Sequence, residues 1–196
     1  MNTCIKTQIG DSIKVKQALL QNPAFLKSLE TVARRIVKAF QGGHKLLLAG
    51  NGGSAADAQH IAGELVNRFR FDRPALPAVA LSTDTSVLTA IGNDSDFDQV
   101  FARQIEALGV AGDVFIGIST SGNSPNILKA LQACRKKGMI GIGLTGQAGG
   151  KMKALCDYCI RVPSSDTPRI QEAHILVAHI LCGFVEDALF GKRKCI

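Results

Sequence analysis

A dense run of hydroxyl side chains is the strongest chemical signal in the sequence. Ser119, Thr120, Ser121 and Ser124 follow an apolar stretch and precede a helical one. Capping that helix needs only Ser124, placed before a proline, so the other hydroxyls require a different explanation. Hydroxyls and free N–H groups at a helix N-terminus bind phosphate. The G-x-x-x-x-G-K-[ST] pattern of nucleotide triphosphate loops is missing, so we predict that this loop binds the phosphate of a sugar phosphate.

A glycine-rich turn, GNGGS at residues 50–54, precedes another helical stretch. Glycines allow the backbone to approach a ligand closely. Gly50, Gly52 and Ala55 also satisfy the dinucleotide pattern G-x-G-x-x-G/A. That interpretation needs an acidic residue at the end of the second strand, where the nearest acid, Asp84, already lies in the following turn. We therefore favour an anion or sugar contact over a nicotinamide cofactor.

Two pairs of residues, each with at least one histidine, could transfer protons or bind a metal. His60 and Glu64 are four residues apart, so they share one face of a helix. Such a pair can ligate a metal, act as acid and base, or form a simple surface contact. His174 and His179 lie on a later helical stretch, with His179 inside the apolar segment ILVAHILCGFV. A histidine there either is a satisfied core residue or faces a cleft, and the pattern leaves both open.

Composition sets the class of protein. The chain has 196 residues, 46% hydrophobic and 20% charged, with a formal net charge of +7. These values fit one globular domain and exclude a disordered or collagen-like chain. The positive charge suits nucleic acid or a small anionic substrate, but no helix-turn-helix pattern is present. The apolar stretch at residues 175–185 is shorter than the ~20 residues of a membrane helix. We expect a cytoplasmic protein without a membrane or nucleic-acid partner.

The spacing of apolar residues predicts the elements that position these groups. An apolar face at helical spacing over residues 11–41 ends at two glycines, Gly42 and Gly43. Continuous apolar runs then alternate with helical stretches, which indicates strands buried on both faces and joined by helices. The runs cover residues 45–49, 78–81, 113–118, 139–144 and 159–162, and the helical stretches end near residues 69, 137, 155 and 189. The predicted fold is a three-layer α/β/α sandwich with a mostly parallel sheet of about five strands and an N-terminal helical extension.

Four segments together resemble the sugar isomerase (SIS) domain family: NGGSAADAQHIAGELVNRF, TAIGND, STSGNSPN and RIQEAHILVAH. The resemblance implies a single SIS domain over residues 1–196. Within it, helices over residues 1–42 would serve oligomer packing, and residues 43–196 would form the α/β core. It also implies a homotetramer with sites at subunit contacts.

The resemblance implies roles for individual residues. The substrate-binding positions would be Asn51, Gly52, Gly53, Glu64, Asn93, Asp94, Ser119, Thr120, Ser121, Ser124 and Gln171. One zinc ion per subunit would be held by His60, Glu64, Gln171 and His179. Glu64 and His179 would be the acid/base pair. Gln171 and His179 are eight residues apart, a rise of ~12 Å along a regular helix. Both would reach one ion if Gln171 preceded the regular helix, or if two subunits contributed.

The implied activity is an aldose–ketose isomerisation. Sedoheptulose 7-phosphate would become D-glycero-D-manno-heptose 7-phosphate through an enediolate, the first step towards ADP-heptose and the lipopolysaccharide core. Two alternatives share the fold: an adaptor that binds the replication initiator protein, and a sensor of phosphosugars. The adaptor lacks the Glu and His at the positions of Glu64 and His179, and a sensor would not need Glu64. Because this chain keeps both residues, we expect the enzyme.

Overall fold

The structure is a computed structural model that describes residues 2–191, so the outermost ends of the expected 1–196 domain lie outside the described residues. Seven helices and five strands follow one another along this part of the chain. The helices are α1 Asn2–Leu20, α2 Pro23–Gln41, α3 Gly53–Val66, α4 Thr85–Asp94, α5 Ala102–Leu108, α6 Pro125–Lys136 and α7 Thr167–Phe190. The strands are β1 Leu46–Gly50, β2 Ala78–Ala80, β3 Val114–Ile118, β4 Ile140–Thr145 and β5 Tyr158–Arg161. Short 3₁₀ helices cover Phe97–Gln99 and Lys151–Ala154.

The five strands form one sheet in the order β2-β1-β3-β4-β5. Every neighbouring pair in it is parallel. The chain leaves β1 in one direction to β2 and then returns past β1 to β3, so the order reverses between β1 and β3. Open α/β sheets bind ligands at such a reversal, beyond the carboxyl ends of the strands. The turns after β1 and β3 are therefore the expected place for a site.

Both faces of the sheet are covered, which explains the continuous apolar runs. Leu46 and Leu48 of β1 pack with α2, α3 and α7 on one face, whereas Leu47 and Ala49 pack with α5 and α6 on the other. All five residues of β1 and of β3 are buried. A strand buried on both faces needs no polar alternation. The predicted three-layer α/β/α architecture is confirmed.

The helical prediction over residues 11–41 was wrong in one respect, because two helices cover this region. The chain breaks at Asn22, whose side chain caps α2 by accepting a hydrogen bond of 3.0 Å from the Phe25 N–H. Pro23 occupies the first helical position of α2, where its missing N–H and fixed φ are tolerated. The stretch expected to be helical to residue 69 ends earlier, at Val66.

Helix α7, Thr167–Phe190, confirms the long C-terminal helix expected from about residue 168 to residue 189. By length and composition alone it could cross a membrane, contrary to the expectation from residues 175–185. Half of its most apolar window is buried within the fold. Residues such as Val177, Leu181 and Val185 join the core cluster with α2 and α3. The apolar composition of α7 is therefore explained by its packing in the core.

Candidate active site

The turns after β1 and β3 meet at the reversal point of the sheet. Asn51 and Asn126 join them through two reciprocal side-chain hydrogen bonds of 3.0 and 2.8 Å. Gly52, with φ of 54°, begins α3 as its N-cap residue, a backbone conformation that favours glycine. A Cβ atom at Gly53 would lie 2.7 Å from Nε2 of Gln171. The turn after β1 thus lies directly against both α6 and α7.

The hydroxyls of the second turn form a cluster at the start of α6. Ser119 is buried, and its Oγ lies 2.9 Å from Oγ of Ser124 and 3.4 Å from Oγ of Ser121. Ser124 is the N-cap residue as predicted, but its side chain makes no capping hydrogen bond. The hydroxyls of Ser119, Ser121 and Ser124 therefore lie against one another, whereas that of Thr120 is not part of these contacts. Such a cluster at a helix N-terminus suits an anion.

The loop after β4 supports the serine turn from behind. Its Gly146 N–H donates to the Thr120 carbonyl at 3.0 Å, and the Met152 N–H donates to the Gly122 carbonyl at 2.9 Å. Gly122 has a φ of 65°, and a Cβ there would collide with the Gly149 carbonyl. A non-glycine residue at this position would therefore strain the backbone and displace the supporting loop.

His60, Glu64 and His179 converge beside the first turn. Nε2 of His60 lies 2.8 Å from Nε2 of His179 and 3.5 Å from Oε1 of Glu64. The two imidazole rings are arranged edge to face, with centroids 5.1 Å apart. His179 is only partly buried, and its ring meets a polar neighbour from another helix, so it is not a fully buried core histidine.

Asp57 adds a fourth ionisable group that the sequence patterns did not single out. It lies one turn before His60 on α3, and its Oδ2 is buried with no hydrogen-bond partner among the described residues. Burial raises the pKa of this carboxyl, while the nearby His60 and His179 partly offset the increase. An acid at i−3 from a histidine was the available signal, since both lie on one helix face.

The donor set of this cluster fits zinc. Within residues 2–191, no three His, Cys, Asp or Glu side chains form a ready-made metal cage. Two imidazole nitrogens and a carboxylate oxygen are nevertheless ligands that zinc accepts, and Zn–N bonds of about 2.0–2.1 Å place tetrahedral ligand atoms about 3.3–3.4 Å apart. The separations of 2.8 and 3.5 Å lie on either side of that value. Small side-chain shifts would therefore open a coordination site.

The remaining predicted residues are placed differently. Gln171 lies within α7 rather than before it, so the first of the two ways for Gln171 and His179 to share an ion is wrong. Asn93 and Asp94 end α4, and both are exposed. Asn93 Nδ2 donates to Oδ1 of Asp94 at 2.8 Å. This pair makes no side-chain hydrogen bond to the serine turn or to the histidine cluster among the described residues.

Comparison with known proteins identifies the family to which the chain belongs. The SIS domain family matches residues 15–146, which include both turns and α3. The chain is therefore a SIS-domain protein, and its five-stranded parallel sheet with flanking helices agrees with this class.

Individual relatives narrow the assignment. The chain is 61% identical to a phosphoheptose isomerase of Aneurinibacillus thermoaerophilus over 98% of both chains. It is 60% identical to phosphoheptose isomerase 2 of Campylobacter jejuni, over 98% of this chain and 96% of the relative. The solved phosphoheptose isomerase of Neisseria gonorrhoeae superposes with a TM-score of 0.89 at 43% identity, covering 95% of this chain and 98% of that one. The chain belongs to the phosphoheptose isomerase family within the SIS domain proteins, and it is an isomerase, as the sequence predicted.

Proposed function

We propose that the chain isomerises sedoheptulose 7-phosphate to D-glycero-D-manno-heptose 7-phosphate, the first step of ADP-heptose and lipopolysaccharide core synthesis. The observation that carries the proposal is the convergence of His60, Glu64 and His179 from helices α3 and α7. A hydroxyl cluster suited to phosphate lies at the start of α6, and the Asn51–Asn126 hydrogen bonds join the turns that precede α3 and α6. A phosphate site at one end and a base at the other match a phosphorylated sugar that reacts at its distant carbonyl end.

Substrate binding divides between the two turns. Ser119, Thr120, Ser121 and Ser124 bind the phosphate, which supplies binding energy that positions the reacting end. The turn of Asn51, Gly52 and Gly53 contacts the sugar chain, together with Gln171, whose amide lies above Gly53. Asn93 and Asp94 contact the substrate from the end of α4. Because the Asn51–Asn126 hydrogen bonds couple the turns, the distance between phosphate and sugar contacts is fixed.

The chemistry is a proton transfer between adjacent carbons. Glu64 removes the proton from C1 of the ketose and returns it to C2, which gives the aldose through an enediolate. Oε1 of Glu64 faces His60, so Oε2 is the oxygen available for this proton. Because Nε2 of His179 faces His60, its Nδ1 is the atom that protonates the C2 carbonyl oxygen and later takes the proton from the C1 hydroxyl. The half-buried position of both residues limits exchange of the proton with bulk water.

We further propose one zinc ion per subunit, held by His60, Glu64, Gln171 and His179. When bound, it would supply Lewis-acid polarisation of the sugar oxygens. The two imidazole nitrogens and the carboxylate oxygen that meet here support this assignment, since zinc accepts both ligand types. Gln171 and His179 both lie in α7, so contribution from two subunits is the remaining way of the two considered for both to reach one ion.

We also propose a cytoplasmic homotetramer with no membrane or nucleic-acid partner. Helix α1 supports the tetramer, because Ile5, Ile9 and Ile13 recur along one side and are each about half exposed. A second copy of the chain would cover this apolar row. The helices over residues 1–42 would then be packing elements, and residues 43–196 would be the α/β core of a single domain.

Turnover of sedoheptulose 7-phosphate by the purified protein tests the reaction. We expect the wild type to form the aldose and Glu64→Gln to lose at least about a hundredfold in kcat, because the amide cannot take the proton. Asp187→Asn, a carboxylate change on α7 that pairs with Arg70 at 3.8 Å away from the cluster, should keep full activity. If the wild type binds the sugar phosphate but fails to convert it with or without added zinc, the sensor or adaptor alternative replaces the enzyme.

A further inference from the structure

The loop that follows α3 reaches back to touch His179. The ring of Phe69 stacks on the His179 imidazole, with centroids 5.6 Å apart and an interplanar angle of 28°. Phe69 also meets the guanidinium of Arg70, 5.2 Å from the ring centroid. A Cβ atom at Gly183 would lie 3.3 Å from the Phe69 ring and from Arg70. The bare glycine, one turn after His179, thus leaves the space that the aromatic ring fills.

A buried ion pair fixes this loop to α7. Glu186 accepts hydrogen bonds of 2.8 Å from the N–H groups of both Phe69 and Arg70. Arg73 donates to the same carboxylate at 3.1 Å, and both side chains are almost fully buried. The Arg73 guanidinium also donates to the Glu64 carbonyl at 2.8 Å. One pair therefore ties together the end of α3, the loop and α7.

The proposed reaction requires a fixed orientation of the His179 ring, and the stacking provides it. The χ2 torsion of histidine has broad, roughly two-fold minima, so the side chain alone does not fix its ring. His179 must keep Nε2 directed at His60 and Glu64, and offset stacking with an aromatic ring favours one plane. His60 holds only one edge of the ring. A flat partner on the face is what prevents rotation.

We propose that Phe69 is a positioning residue for the isomerisation, which orients the His179 imidazole through ring stacking while Glu186 and Arg73 hold its loop in place. The proposal rests on the proposed acid role of His179. It assigns no contact between Phe69 and the reacting atoms. The aromatic face, rather than the bulk of the side chain, is the property that matters.

Three variants separate orientation from simple packing. Phe69→Leu keeps an apolar side chain but removes the flat ring, so kcat should fall about tenfold while KM changes less than twofold. Phe69→Tyr keeps the ring and should restore kcat. Phe40→Leu is the matched control: this phenylalanine of α2 is partly buried like Phe69, and α2 carries no residue of the proposed site or of the contacts that hold Phe69. It should leave kcat unchanged.

A spectroscopic measurement tests the stacking independently of activity. In protein labelled with ¹³C-histidine, the His179 ring signals, assigned with His179→Gln, should lie upfield through the Phe69 ring current. They should lose that shift in Phe69→Leu and keep it in Phe69→Tyr. Ring signals that do not move in Phe69→Leu would overturn the proposal, as would an active wild type whose kcat is unaffected by Phe69→Leu. A wild type without isomerase activity would instead remove the proposed function on which the role depends.

Discussion

At the scale of single residues, the site contains buried polar atoms, one of which has no hydrogen-bond partner among the described residues. Ser119 is buried with its hydroxyl among other hydroxyls, and Oδ2 of Asp57 is buried without a hydrogen bond among the described residues. Buried polar atoms without partners cost about 1–3 kcal/mol each. A ligand that supplies those partners recovers this energy on binding.

Ser119→Ala tests the phosphate site directly. Because a hydrogen bond to a charged group contributes about 1.5–3 kcal/mol, kcat/KM for the sugar phosphate should fall about tenfold or more, and inorganic phosphate should inhibit more weakly. Steady-state kinetics with and without phosphate measure both effects. Thr31→Ala removes a hydroxyl of α2 that bonds only the Lys27 carbonyl and should change neither. Equal phosphate inhibition in the wild type and Ser119→Ala would contradict the assignment.

His174 links acid conditions to stability. Burial lowers its pKa from 6.5 to about 4, so between these values the unfolded chain binds a proton that the folded chain does not. Stability is therefore lost as the pH falls from about 6.5 towards 4, by on the order of 3 kcal/mol from this group. Urea midpoints at pH 7.5 and 4.5 should differ less in His174→Gln than in the wild type. An identical pH dependence in the two proteins would refute this linkage.

At the scale of elements, α3 and α7 carry the proposed chemistry and are fastened to each other at one end. The contact that joins them is the Arg73–Glu186 ion pair, whose side chains are 1% and 0% exposed. Removing one partner of a buried pair leaves an uncompensated charge and costs about 3–5 kcal/mol. Because Arg73 also donates to the Glu64 carbonyl at 2.8 Å, this pair joins the end of α3 to α7.

Glu186→Ala should accordingly lower the free energy of unfolding by about 3–5 kcal/mol. The neighbouring Asp187→Ala breaks a more exposed pair with Arg70 at 3.8 Å and should cost less than about 1 kcal/mol. Urea denaturation of both variants beside the wild type gives the comparison. If both variants lost a similar free energy of unfolding, the buried pair would not stabilise the fold more than the exposed pair.

At the scale of the whole molecule, α1 has an apolar surface that the rest of residues 2–191 does not cover. Val15 and Leu19 are its buried residues, while Ile5, Ile9 and Ile13 remain 55%, 57% and 48% exposed. Three isoleucines at a spacing of four residues form a row along one side of a helix. Rows of this kind mark contact surfaces between proteins.

Replacing Ile9 and Ile13 together by Glu should break the proposed tetramer. Charges buried in an apolar contact are strongly unfavourable, so the solution mass should fall from four times the 20.8 kDa chain to a smaller species. Analytical ultracentrifugation measures the mass, and Thr7→Glu, an exposed change on the same helix, controls for added charge. A wild-type protein that sediments as a monomer would exclude the tetramer.

Local sequence patterns were sufficient for most elements but not for all. The five apolar runs became the five strands because a strand buried on both faces is recognisable from its own residues. The break at Asn22 was missed although Pro23 follows it, because the apolar spacing continues across the break and masked the cap. Helix α5 received no prediction, since seven residues are too few to display a clear helical period.

The sequence by itself determined which residues follow each strand and which share a helix face, and so it predicted the serine turn and the His60–Glu64 pair. Only the tertiary structure decided that His179 meets His60 from 119 residues away, or that Asn126 bonds Asn51 from 75 residues away. Helix and strand periods arise from the local backbone, so neighbouring residues reveal them. Contacts between distant segments depend instead on the strand order and on how each helix crosses the sheet, and only packing of the whole chain fixes these.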